Sequence, residues 1–103
     1  MRPRFLADAL EDLIEAVQYY ARENAQIAIE MQREVEVGLD LICAFPKAAK
    51  SIGRFYRGHK LLRFPYFLIY RIDNDSDEIV IVAIAHMSRH PDYWRSRDAF
   101  RQQ

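Results

Sequence analysis

Seven consecutive apolar residues, Ile79-Val80-Ile81-Val82-Ala83-Ile84-Ala85, lie between Glu78 and His86, so neither alternating face of this run carries a polar side chain. Successive residues of a strand point to opposite sides of a sheet, and a run that is apolar at both parities marks a strand covered on both faces. Such a strand needs a layer above it and another below it. The layer on one side is expected to be helical; the other is expected to be more protein or a partner.

The helical layer is written in the first half of the chain. Leu6, Leu10, Leu13, Ile14, Val17 and Tyr20 recur at intervals of three and four, with Asp8, Glu11, Asp12 and Glu15 on the other side. This spacing predicts an amphipathic helix from Ala7 to Glu23, its early acids suited to the positive end of the helix dipole. Asn24 is a candidate N-cap for a second helix with the stripe Ala28, Met31, Val35, Leu39 and Ile42, ended by Pro46. So short a connection makes the pair an antiparallel hairpin. Residues Arg2 to Phe5 read as extended. After a loop of Lys, Ala, Ser and Gly, strands follow: Phe55 to Phe64, interrupted by Gly58 and readable as one strand or two, then Tyr66 to Ile72, then Glu78 to His86, with turn residues Asp73 to Asp77 between the last pair. The expected architecture is α+β, an N-terminal antiparallel helix hairpin packed on a small, mainly antiparallel β-sheet. It forms one domain over residues 1–103 without repeats or linkers.

Half of the residues are apolar or aromatic and 29% are charged, the balance of a globular chain. A lone cysteine, Cys43, excludes an internal disulfide and fits a reducing compartment; Ile42, Ala44 and Phe45 around it predict a buried thiol. No apolar run reaches the roughly 20 residues of a membrane helix, and Met1 to Arg4 leads into an acidic amphipathic segment, so no membrane association is expected and the cytoplasm is the expected location. The zero net charge is unevenly distributed. Residues 1–40 hold four basic and nine acidic groups, whereas Lys47, Lys50, Arg54, Arg57, Lys60, Arg63 and Arg71 follow between Asp40 and Asp73 with no carboxylate among them. That stretch can attract nucleic acid or an acidic protein segment, or pair with the acidic helices on folding.

Gly38, Gly53 and Gly58 make no phosphate-cradling loop, and no Cys/His pattern has zinc spacing. His86 and His90 stand four apart, but Pro91 and the preceding strand argue against a shared helix, so neither metal nor cofactor is expected. A nucleophilic triad has no motif to support it. What remains is the cluster His86, Arg89, His90, Tyr93 and Trp94, which Arg63 and Arg71 on nearby strands could join. Histidine can transfer protons near neutral pH and arginine can grip a phosphate, so the cluster could serve metal-free phosphodiester cleavage. The alternative is that Tyr93 and Trp94 pack a C-terminal turn, His86 caps a strand end and Arg89 is a surface charge.

Taken in order, Phe45-Pro46, a basic strand, Phe64-Pro65-Tyr66-Phe67-Leu68-Ile69-Tyr70-Arg71, an apolar strand and His86-x-x-Arg89-x-Pro91-x-Tyr93-Trp94 resemble the RelE/ParE superfamily of toxins from bacterial type II toxin–antitoxin modules. The resemblance runs from Phe5 to Trp94 and is closer to ParE. It implies a toxin, of the kind linked to plasmid stabilisation, neutralised by a cognate ParD-like antitoxin. That antitoxin wraps the toxin and alone contacts operator DNA. RelE-like members cut messenger RNA on the ribosome and carry an Arg where this chain has Phe67, and further Lys and Arg where it has His86 and Met87. ParE-like members poison DNA gyrase by binding, and the C-terminal motif looks more like theirs. The implied target site is His86, Arg89, Tyr93 and Trp94. Were the chain a ribonuclease instead, Arg71, Arg89, His90 and Tyr93 would be its catalytic candidates; an inactive partner-binding relative is the third reading. For the antitoxin, Tyr19, Ile27, Ile29 and Leu41 are expected to line a groove, and Arg54, Arg57, Lys60 and Arg63 to meet its acidic residues.

Overall fold

The computed structural model describes residues 1–98. Its elements are β1 (Arg2–Phe5), α1 (Ala7–Glu23), α2 (Ala25–Ala44), β2 (Lys50–Ile52), β3 (Tyr56–Lys60), β4 (Tyr66–Asp73), β5 (Glu78–His86) and a short 3-10 turn at Arg95–Arg97. The strands form one sheet in the order β1-β5-β4-β3-β2, with β1 parallel to β5 and every other pair antiparallel. This is the expected α+β architecture.

A single residue separates the two helices. The Asn24 side chain accepts a hydrogen bond from the Gln26 backbone N–H at 2.7 Å, while its own N–H donates to Tyr20 O at 2.9 Å. One residue thus closes α1 and opens α2. In α1 the buried stripe is not the one its large side chains suggest. Ala9 and Ala16 are buried, with Leu13, Val17 and Tyr20 packed beside them, whereas Leu10 and Ile14 are about half exposed at 48% and 49%. Alanine lets the helix lie close to β5, and the bulkier stripe is rotated toward its flank.

Along β5, pairing with β4 slips by one residue: Ile69 faces Ala83 while Tyr70 faces Ile81, which leaves Val82 as a bulge. The slip resets the parity of the strand. Ile79, Ile81 and Ile84 therefore join the helix-side core with Leu68 and Tyr70, while Val80, Val82, Ala83 and Ala85 face the other side with Ile69. This second face is covered by the chain itself. Three successive turns (Tyr93 N–H to His90 O, Arg95 N–H to Asp92 O, Arg97 N–H to Trp94 O) fold residues 90–98 into a strap, and Trp94, 1% exposed, packs edge-on against Tyr56 beneath it.

Two strand boundaries differ from expectation. β2 falls inside the segment expected to be loop; three residues with Lys and Ser at its first two positions carry no strand-like pattern. It pairs antiparallel with β3, Lys50 facing Gly58, and the Ile52 side chain lies over Gly58, where a Cβ would come within 2.5 Å of its Cδ1. The expected strand Phe55 to Phe64 shortens to β3. Leu61 N–H instead donates to Tyr66 O, and Tyr66 N–H to Phe64 O, around a proline that has no N–H to give. Cys43 is half-buried rather than buried, although burial still pushes its thiol up.

Candidate functional site

β1 pairs with β5 only as far as Ile81, so the outer edge of β5 beyond that point has backbone groups to satisfy. Side chains do this. Asp12 of α1 accepts from Ile84 N–H at 3.0 Å, and Arg97 of the strap donates to Val82 O at 3.2 Å. The two side chains also grip one another through a forked pair of 2.6 and 3.1 Å, both mostly shielded from water. The helix, the bulged strand and the strap thus meet at one ion pair.

Beside this junction opens a cleft of about 700 Å3 between α1 and the end of β5, where Tyr19, Arg22, Tyr66, His86, Arg89 and Tyr93 are among the lining residues. The Arg89 guanidinium carbon stands 3.9 Å above the Tyr93 ring centre, and that of Arg97 lies 5.1 Å from the same ring. Arg89 is itself exposed, so its planar face and N–H groups are displayed on an aromatic support. His86 stacks edge-on against Tyr66 and accepts at Nδ1 from the Ser88 backbone N–H at 3.0 Å, which places the proton of the neutral ring on Nε2. Burial pushes the Tyr93 phenol up, with Asp12 adding to the shift, so it is a hydrogen-bond donor at neutral pH rather than a base.

Of the residues expected at a target site, His86, Arg89 and Tyr93 come together in this cleft. Trp94 does not, and this is a correction: its ring is a core side chain of the second face, with no surface to offer without opening the strap. The catalytic candidates are also dispersed. Arg71 is buried on the second face, donating from Nε to Asp98 Oδ2 at 2.6 Å and from Nη2 to Oδ1 at 3.3 Å, while the Tyr56 hydroxyl donates to the same carboxylate at 3.1 Å. By strand rise it lies about 17 Å along β4 from Tyr66 at the cleft. His90 is exposed outside the cleft lining, its Nδ1 accepting from Asp92 N–H. Among the described residues no group of three or more His, Cys, Asp or Glu is placed to hold a metal ion. No helix among them is long and apolar enough to cross a membrane.

The residues expected to meet an antitoxin are scattered over several surfaces. Tyr19 rims the cleft. Ile27, Ile29 and Leu41 are exposed on α2, and Leu41 also lines a smaller hollow of about 210 Å3 with Ile42, Phe45, Ala48, Ala49, His59 and Tyr70. Arg54 and Lys60 are exposed. The other two basic residues are engaged within the chain: Arg57 donates to the carbonyls of Lys47 and Ala49, and Arg63 pairs with Glu34 at 3.3 Å and Glu30 at 3.7 Å. Asp12, which lines the cleft, and Arg97, which pairs with it, carried no motif that marks them in sequence.

A family model described as the ParE toxin of the type II toxin–antitoxin system parDE matches residues 4–91. Among solved structures, a chain described as from the chromosomal ParDE TA system of P. aeruginosa superposes with a TM-score of 0.72 at 20% identity, over 85% of this chain and 97% of that one. No curated protein matches the sequence significantly.

Proposed function

This chain belongs to the ParE toxin family of type II toxin–antitoxin systems, and we propose that it is a binding toxin whose cleft engages DNA gyrase and whose action a cognate ParD-like antitoxin reverses. The observation that carries the gyrase reading, beyond family membership, is the Arg89–Tyr93 stack displayed beside His86 in an open cleft, with Arg71 outside the cleft lining and held in a buried ion pair with Asp98. A protonated Tyr93 and a stacked guanidinium suit recognition better than proton transfer. This reading places the protein in the cytoplasm, touching operator DNA only through the antitoxin.

For the antitoxin, exposed Ile27 and Leu41, which share one face of α2, and the Leu41 hollow support docking of an amphipathic segment there; Ile29 lies on the other side of the helix and Tyr19 on the rim of the larger cleft. Arg54 and Lys60 are the more available basic contacts; Arg57 and Arg63 would first have to leave their partners. The test of the main reading is purified gyrase acting on plasmid DNA. Addition of the wild-type chain is expected to accumulate cleaved DNA, and Arg89→Ala to abolish this while leaving antitoxin binding intact. Unimpaired supercoiling with the wild-type chain would overturn the gyrase reading.

A further inference from the structure

We propose that Asp12, which lines the cleft, and Arg97, paired with it beside the Tyr93 ring, are positioning residues that set the stance of Arg89 through that ring. The inference deepens the reading of the cleft as the target site and rests on it only for its consequence in binding.

The argument runs outward from the bulge. Val82 has no partner on β4, and β1 has already ended, so the β5 edge at Val82 O and Ile84 N–H is taken by Arg97 and Asp12. These bonds fix the two side chains against backbone, and the forked pair between them fixes each against the other. Arg97 is held there with its guanidinium carbon 5.1 Å from the Tyr93 ring, four residues back along the strap. Tyr93 is half-buried, and Arg89 lies 3.9 Å from its centre. The order of support is therefore backbone, ion pair, ring and displayed cation. Among the described residues no carboxylate pairs with Arg89 in place of the ring, so its orientation follows the ring's. A cation shown on a mobile support loses affinity through the ordering it must undergo on binding, and a rigid support removes that cost.

The test uses the isolated chain made by cell-free synthesis and follows the ring-current shift of the Arg89 side-chain protons by NMR. In the wild type these protons are expected upfield, under the Tyr93 ring. Asp12→Asn keeps an acceptor for Ile84 N–H but removes the charge, and Arg97→Lys keeps the charge but removes the fork and the flat face. Both are expected to lose the upfield shift while the amide spectrum of the sheet remains dispersed, whereas Tyr93→Phe, which keeps the ring, retains it. An unchanged Arg89 shift in folded Asp12→Asn and Arg97→Lys would overturn the proposal. Gyrase affinity is measured alongside and is expected to fall about tenfold in both, the worth of one desolvated cation–π contact. Loss of the shift in a protein whose wild type never binds gyrase would leave the positioning role standing and remove the gyrase reading instead.

Discussion

The two faces of the sheet are covered by different means. The helix side is closed by the hairpin, an apolar packing of Ala9, Ala16, Met31, Val35 and Ile42 on Leu68, Tyr70, Ile79, Ile81 and Ile84. The opposite side is closed by a strap of a few residues anchored by one large ring, Trp94, and by two buried or half-buried ion pairs, Arg71–Asp98 and Asp12–Arg97. A long amphipathic helix can cover a face through area alone. A strap this short cannot, and it relies on anchors whose geometry is specific, which also makes it a suitable frame for displayed side chains.

The largest effect that would break this comparison is loss of the ring. Trp94→Ala is expected to destabilise the chain by about 3–5 kcal/mol in a urea melt, the cost of a large emptied core position. Leu10→Ala on the helix side is expected to stay within about 1 kcal/mol, since that side chain is half exposed. A Trp94 variant as stable as wild type would mean that the strap does not close the second face. Next is the buried pair. Asp98→Asn removes the nearer of the two carboxylates at the Arg71 guanidinium, leaving Asp73 at 4.0 Å, and is expected to cost about 3 kcal/mol, while the joint replacement Arg71→Met with Asp98→Leu recovers much of it. Tyr56→Phe, which removes one donor to the same carboxylate, is expected to cost about 1 kcal/mol by thermal or urea denaturation.

On the helix side the comparison sharpens through pH. Burial pushes His59, packed at Gly38 of α2, below its ordinary 6.5. The unfolded chain therefore takes up a proton before the folded one does. Stability is whole above pH 6.5 and declines as pH falls through the folded value. His59→Gln is expected to flatten that part of the curve, and an unchanged slope between pH 7 and 5 would contradict the assignment. The smallest stability effect is expected for Arg89→Ala, within about 0.5 kcal/mol, because that side chain is presented by the strap rather than holding it down.

How much was legible in the sequence follows the same division. Helical periodicity, Asn24 and Pro46 located the hairpin, and the unbroken apolar run identified β5 as covered on both sides. Within α1 the large side chains were misleading, because close packing selects Ala9 and Ala16 over Leu10 and Ile14. β2 was invisible, since three residues beginning Lys-Ser carry no apolar alternation and its pairing is set by β3. For the site, His86, Arg89 and Tyr93 could be grouped because one short motif carries them. Arg71 and Trp94 lie as near in sequence or motif but are buried under the strap, outside the cleft lining. Parity along β4 could have removed Arg71, which shares its side with Ile69, whereas for Trp94 the sequence left a packed C-terminal turn as the alternative and the structure takes that alternative. The Asp12–Arg97 junction joins residues 85 apart and has no local signature at all.

The measurement that bears most directly on the central claim is induction of this chain in cells without antitoxin, with gyrase-linked DNA breaks and messenger RNA integrity followed in the same culture. Breaks with intact transcripts, the breaks falling to background with Arg89→Ala, are the predicted result. Rapid transcript cleavage without DNA damage would contradict it and would make the cleft a ribonuclease site.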